Sequence, residues 1–456
     1  MWLGNYDSSQ VLHRLIRVLT LGDYNTRVVM FGTVMLGLAG GVVGVFLLLR
    51  KRSLLADAVG HAALPGVAAT FIILMQLGGN PRSLPLLMLG ALVSGLLGMG
   101  CVLFITRTTR LTQDAALGII LSVFFGFGIV LLGIIQRMRG APAAGLNSFI
   151  YGRTASMLLS DAVLIGTAAL VIIGLTLLLF KEFRLFTFDS PFAAGDGWPV
   201  TFLDALLMAL AVGVTIIGLQ AVGIILIIAI LVIPPAAARF WTNKLGLLVF
   251  LSAMFGALGS YLGTSISAIL PRMPAGAAIV VSQGAFFLVS LLFGSERGLI
   301  QELIARNRQK RKILRQNLLR ALYEFEEQYG TGNIGANQEG QWDYLNDARQ
   351  WQRGSLYRGL KSLKKQGRVL FTPRGYWKLT PSGRSEAARV TRNHRLWEVY
   401  LLEFAAIAPA HVDQGADQIE HVLGDEMVAE LEKLLPRFGT PLPESFHPLG
   451  SLEEKP

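Results

Sequence analysis

The chain has 456 residues, 52% of them hydrophobic and only 16% charged, with a formal net charge of +11. Soluble domains carry about 25% charged residues, so this composition argues against a wholly soluble protein. A single cysteine, Cys101, excludes a disulfide framework or a thiolate metal site built within the chain.

The first 27 residues form an N-terminal amphipathic segment carrying Arg14, Arg17, Asp23 and Arg27, with no cleavage pattern of a signal peptide. Apolar stretches of about 20 residues cross a bilayer as helices. They are predicted at 28–49, 56–78, 84–106, 114–136, 160–181, 200–217, 219–238, 245–270 and 276–294. Arg50-Lys51-Arg52, then Arg107 and Arg110, Lys181 and Arg184, Arg239 and Lys244, and the run Arg306–Arg320 follow alternate spans. Basic residues favour the cytoplasmic side. The alternation fits nine crossings with the N-terminus outside and the C-terminus inside. Arg137, Arg139 and Arg153 run against it, and eight crossings with one re-entrant segment is the alternative.

Within the second span Asp57 and His61 are four residues apart, which places them on one helix face. Ionisable groups inside a span are costly and commonly functional, and oxygen with imidazole suits Mn, Fe or Zn. Pro65 and Gly66 allow the helix to bend beside the pair. The competing reading is two solvated groups near the cytoplasmic end. Asp114, Asp204, Gln220 and Gln283 also lie in apolar segments, where caps and interhelical hydrogen bonds are the default.

The stretch Leu49-Arg50-Lys51-Arg52-Ser53-Leu54-Leu55-Ala56-Asp57, continued by His61-Ala62-Ala63-Leu64-Pro65-Gly66, resembles the signature of the manganese/zinc/iron ABC permeases. Phe188-Asp189-Ser190-Pro191-Phe192-Ala193 and Leu231-Val232-Ile233-Pro234-Pro235-Ala236-Ala237-Ala238-Arg239 resemble two further motifs of that family. The resemblance implies a permease domain over 28–294 that carries a divalent metal as substrate, with Asp57 and His61 as transport ligands. It implies an ATPase docking on Asp189, Pro191, Phe192 and Ala193, although the family has proline directly after the aspartate where Ser190 stands here. It also implies an extracytoplasmic metal-binding protein and a second permease copy or paralogue. The chain contains no G-x-x-x-x-G-K-[ST] phosphate loop, so ATP hydrolysis is expected on a separate subunit. No nucleophile–base arrangement marks an enzyme, and no organic cofactor is expected.

After a charged linker at 295–312 the composition becomes that of a soluble domain. Residues 295–395 hold 21 Lys+Arg and 9 Asp+Glu, whereas 396–456 hold 3 and 12. A basic half suits phosphates and an acidic half suits cations, while a juxtamembrane basic run also suits anionic lipid. Helices are predicted near 313–329, 341–351 and 354–366. Two strands, 368–371 and 376–379, follow around a Pro-Arg-Gly turn. A helix then runs to about 405, and another covers 413–435. The third of these helices carries Arg358, Lys361, Lys364 and Lys365, with Arg374 at the tip of the following turn, which is the layout of a winged helix facing DNA. His394 and Glu398 share one helix face, and Asp417, Glu420 and His421 another. The alternative is solvated charge on amphipathic helices.

Gly375…Leu379-Thr380-Pro381-Ser382-Gly383, Asn393-His394-Arg395-Leu396-Trp397-Glu398 and Ile419-Glu420-His421-Val422-Leu423-Gly424-Asp425-Glu426 resemble the iron- and manganese-dependent repressors of the diphtheria-toxin-repressor type. The resemblance implies a winged-helix part at 313–380, metal-binding and dimerisation helices at 381–436, and a loose tail at 437–456. It implies a regulatory metal on His394, Asp417, Glu420 and His421, with Glu398 and Asp413 at a second site. Asn317 and Arg320 stand where that family's first helix supplies further ligands.

The expected fold is therefore an all-α polytopic membrane domain of eight or nine transmembrane helices, followed by a mainly helical winged-helix and dimerisation-type cytoplasmic domain. The expected function is the permease subunit of an ABC importer for Mn, Zn or Fe in the bacterial inner membrane, with a metal-responsive regulatory domain. The alternative is a membrane-tethered or proteolytically released metal-dependent repressor.

Overall fold

The computed structural model of the chain describes residues 23–79, 83–138, 157–270, 273–329, 341–345, 353–373 and 375–404. The chain divides into two compact units, Met1–Glu302 and Leu303–Pro456.

All regular structure among the first unit's described residues is helical, as a lipid-facing backbone favours, because only internal hydrogen bonds satisfy it there. Its elements are α1 (Tyr24–Leu49), α2 (Leu55–Gln76), α3 (Leu84–Thr108), α4 (Gln113–Arg137), α5 (Leu159–Leu178), α6 (Phe180–Phe188), α7 (Ser190–Gly195), α8 (Val200–Val222), α9 (Ile224–Arg239), α10 (Leu245–Ile269) and α11 (Ala275–Phe293). Among the described residues, eight helices are long and apolar enough to cross a membrane, and α9 is the shorter apolar one. Helix α1 forms the axis: 72% of its most apolar window is buried, against 17% for α4. Asp23 caps its start by accepting from the Thr26 N–H at 3.3 Å.

Hydroxyl hydrogen bonds hold the crossing of α1 with α10. Thr33 Oγ1 lies 3.0 Å from Thr264 Oγ1, and Ser252 Oγ donates to the Gly41 carbonyl at 2.7 Å. The two helices run in opposite directions. Helix α9 instead runs alongside α1 in the same direction, Ile230 lying beside Gly40 and Leu231 beside Gly44. A Cβ at Gly44 would overlap the Leu231 carbonyl oxygen, so only glycine admits this approach. The apolar pair read at 200–217 and 219–238 is thus a hairpin. It turns at Gly223, whose φ of 83° is open to glycine and costly for other residues. The 16 residues of α9 span about 24 Å, less than a hydrocarbon core of about 30 Å. The alternating direction of a nine-segment scheme is kept, while one segment lacks full crossing length.

The second unit takes in most of α12 (Leu299–Tyr329), then a short helix at 341–345, α13 (Arg353–Lys365), β1 (Val369–Phe371), β2 (Trp377–Leu379) and α14 (Pro381–Phe404). Residues 299–312, expected as a linker, are continuous with the helix expected at 313–329. The strands pair antiparallel with Val369 opposite Leu379. Leu318, Leu322, Leu356, Leu360, Leu363, Val369 and Trp377 form its core. Buried Gln341 replaces a missing strand neighbour: its amide donates to the Trp377 carbonyl and accepts from the Trp377 N–H, both at 2.9 Å. The helix expected at 413–435 and the tail lie outside the described residues.

Candidate metal site on helix α2

Only five residues, 50–54, separate α1 from α2, and Lys51 takes a φ of 58° to make that turn. The turn is pinned by its arginines. Both terminal nitrogens of Arg52 bond the Asp204 carboxylate at the start of α8, Nη2 to Oδ2 at 3.1 Å, and both side chains are buried. Arg50 donates to Ser190 Oγ at 2.9 Å and to the Phe186 carbonyl at 3.4 Å, with its guanidinium 4.1 Å from the Phe186 ring centroid. Burial, then the neighbouring Arg52 charge, hold the Arg50 guanidinium below its ordinary range, and Asp204 opposes this.

Asp57 and His61 follow on the first turns of α2 with side chains 35% and 24% exposed, so the pair is open on one side. His61 Nε2 is 3.4 Å from Asp57 Oδ1, longer than a good hydrogen bond. Two donors each about 2.1 Å from one metal, at a tetrahedral angle, stand about 3.4 Å apart. That separation is compatible with two ligands of one ion. Nδ1 of His61 is buried without a hydrogen-bond partner, and Phe125 of α4 packs edge-on against the ring at 4.9 Å. One turn on, Pro65 removes the donor that the His61 carbonyl would otherwise meet. Pro65, Gly66, Thr70, Ser94, Phe124 and Phe127 line part of a mostly apolar groove of about 640 Å³ between α2, α3 and α4. Among the described residues no group of three or more His, Cys, Asp or Glu side chains forms a metal cluster.

The segment read as a docking loop consists of two short helices. Asp189 caps α7, accepting from the Phe192 N–H at 2.9 Å. Ser190, the departure from the family motif, accepts from Arg50 and donates to the Phe186 carbonyl at 2.7 Å, so it ties this segment to the α1–α2 turn. Pro191 stands in the first turn of α7, and Ala193 is buried. Phe188 and Phe192 are 65% and 60% exposed.

Of the regulatory residues, His394 is fully buried on α14. Glu398 lies on the same helix, but its side chain is outside the described set, as are Asp413, Asp417, Glu420 and His421 entirely. Arg320 does not stand as a bare charge: it is buried, and its Nε donates to Glu324 at 2.6 Å. Within the described residues one imidazole is the only expected ligand whose side chain is placed. Arg358, Lys361, Lys364 and Lys365 are exposed on α13, and Arg374 lies outside the described residues.

Sequence reasoning expected a hydrogen-bonding role for Asp204 but missed its partners, Arg50 and Arg52. The signal was there in Asp204, a carboxylate in an apolar run, which must find a partner to be buried.

Comparisons with known proteins agree with this architecture. The profile of the ABC 3 transport family matches residues 23–294. That of the iron dependent repressor, metal binding and dimerisation domain matches residues 380–440. The chain is 37% identical over 396 residues to the manganese transport system membrane protein MntC of Bacillus subtilis, covering 87% of this chain and 88% of that one. It is 43% identical over 298 residues to the zinc transport system membrane protein TroC of Treponema pallidum, covering 65% of this chain and 97% of that one. The structure of PsaBC from Streptococcus pneumoniae in complex with Fab is similar with a TM-score of 0.54 at 32% identity, over 63% of this chain and 97% of that chain. With matched motifs along the helical unit and a repressor-type match beyond it, the chain belongs to the ABC 3 transport family and carries a fused iron-dependent-repressor-type domain.

Proposed function

We propose that the chain is the permease subunit of an importer for a divalent transition metal, Mn, Zn or Fe, in the bacterial inner membrane. The observation that carries this reading is the Asp57–His61 pair, open on one side and spaced 3.4 Å apart as two ligands of one ion. Metal passes as substrate: the carboxylate supplies charge, the imidazole supplies a borderline-soft nitrogen, and water or other groups complete the shell. Family membership and the relatives' names support the metal class. A separate ATPase subunit would dock on α6–α7, where exposed Phe188 and Phe192 offer apolar anchors beside the Asp189 cap. An extracytoplasmic metal-binding protein would deliver the ion, and a second permease copy or paralogue would complete the pathway. The 28–294 region then acts as the permease domain. Residues 313–380 and 381–436 form the winged-helix and metal-responsive parts of a cytoplasmic regulatory domain, with 295–312 joining them to the membrane and 437–456 as a tail.

The regulatory metal would rest on His394 with Glu398, Asp413, Asp417, Glu420 and His421. The repressor-type match over 380–440 supports that set. Arg320, already paired with Glu324, supplies no ligand. Calorimetric titration of the full chain with Mn, Fe(II) and Zn, against Glu420→Ala/His421→Ala, tests the regulatory site. Unchanged stoichiometry in the variant would remove it.

The transport reading is tested by uptake of the three metals into vesicles holding the chain and its ATPase, in wild type, Asp57→Asn and His61→Gln. Loss of a group that merely supports a metal ligand costs about 10–100-fold in affinity or activity, and loss of the ligand itself should cost at least as much. Uptake unchanged in both variants would sink the assignment.

A further inference from the structure

Among the described residues, the ion pairs of the second unit gather on one side of it. Against α14, Arg315 and Arg368 meet Glu386, Arg384 meets Glu326, and Arg395 meets Glu327 at 2.6 Å. On the other side, Arg311 and Lys312 of α12 and Lys361, Lys364 and Lys365 of α13 are exposed and meet no carboxylate among the described residues. Among the described residues, Arg358 donates to the Gly354 carbonyl of its own helix, at 3.1 Å, and meets no carboxylate. Between the two helices lies a cleft of about 640 Å³, lined by Arg311, Lys312, Arg315, Ser355, Arg358 and Ser362 among others. Concentrated positive charge facing hydroxyls is the chemistry that takes a phosphate group.

We propose that this cleft binds the phosphate of an anionic phospholipid headgroup, anchoring the regulatory unit to the membrane surface. The tether favours lipid over a solution anion. The last long apolar helix ends at Phe293, α12 begins at Leu299, and Arg311 lies twelve residues further, which is about 18 Å of helix. So short a connection limits how far the cleft can lie from the headgroups. Leu303 and Ile304, which precede the cations on α12, are 59% and 47% exposed. Exposed apolar side chains followed by basic ones form an interfacial pattern.

The test uses the full chain in nanodiscs of phosphatidylcholine alone or mixed with phosphatidylglycerol. Hydrogen–deuterium exchange is read over 311–315 and 354–366. Slower exchange in the mixed discs, reversed by salt, is expected. Neutralising one cation at a membrane surface weakens attachment about fivefold, so Arg311→Gln/Arg358→Gln should lose most of the protection while α14 exchange stays unchanged. Equal exchange in both discs, or equal protection in the double variant, overturns the proposal. Protection by inorganic phosphate in phosphatidylcholine discs, with no gain from phosphatidylglycerol, would overturn the lipid source. Protection by duplex DNA alone would instead mark a nucleic-acid surface and overturn it as well.

Discussion

Removing the Asp204 carboxylate should destabilise the membrane unit more than removing its partner Arg52. At 3.1 Å and an effective dielectric near 20, the attraction between the two charges is about 5 kcal/mol. Desolvation of two buried ions consumes most of it, so the intact pair contributes little net stability. Asp204→Ala keeps the buried guanidinium and loses its counter-charge, at a cost of about 3–5 kcal/mol. It also leaves Arg50, whose Nη2 is 3.9 Å from Asp204, facing Arg52 with no anion between them. Arg52→Met is milder because Arg50 remains to pair with Asp204. Arg52→Met/Asp204→Leu should recover most of the loss. Thermal unfolding of the purified chain in detergent, followed by tryptophan fluorescence, reads the order. A loss of about 4 kcal/mol lowers Tm by roughly 8–15 °C. If the double variant melts as low as Asp204→Ala, the pair is not acting through buried charge and the reasoning fails.

Gly44→Val should cost about 1–3 kcal/mol or more, because its Cβ has no room beside Leu231; a Tm equal to wild type would contradict the α1–α9 approach. Phe192→Asp, at an exposed position, should leave Tm unchanged but abolish co-purification of the ATPase, and retained binding would place docking elsewhere. The Tyr323 hydroxyl is pushed above its ordinary range, first by burial and then by Glu327. The folded state then holds the proton more tightly than the unfolded chain. Stability is complete below the unfolded value near 10 and falls as pH rises through the folded one. Tyr323→Phe should flatten that alkaline loss in a pH series of melts, and an identical pH profile in both proteins would refute it.

The nine apolar segments and the Asp57–His61 spacing were legible because each rests on local pattern, helical length or an i, i+4 step. The Arg50 and Arg52 contacts were not. Their partners lie 136 to 152 residues away, and a basic triplet after a span also satisfies the charge-sidedness of membrane insertion. Ser190 looked like a lapse in a motif, yet its hydroxyl is what Arg50 grips. The α8–α9 boundary was blurred because hydropathy runs through Gly223; only the backbone angle separates the helices. Arg320 stands at a ligand position of the repressor family, and the Glu324 that neutralises it lies one i, i+4 step along the same helix, a local signal as legible as that of Asp57 and His61. In the second unit, the hairpin followed from a Pro-Arg-Gly turn between β-forming residues. The role of Gln341 as a surrogate strand partner carries no local signature.

The two prolines of α9, Pro234 and Pro235, have a mechanical consequence. Each lacks an N–H, so the carbonyls of Ile230 and Leu231 lose their rungs in the helix ladder. Those are the residues set against Gly40 and Gly44 of α1, where glycine C–H groups offer only weak, loosely directional bonds. Helix α10 grips the same α1 through hydroxyl hydrogen bonds at Thr33 and Gly41. One neighbour of the axis is bolted and the other rests on a slide bearing. Among the described residues, sliding α9 along α1 would break no hydrogen bond between the two helices, whereas sliding α10 would break those at Thr33 and Gly41.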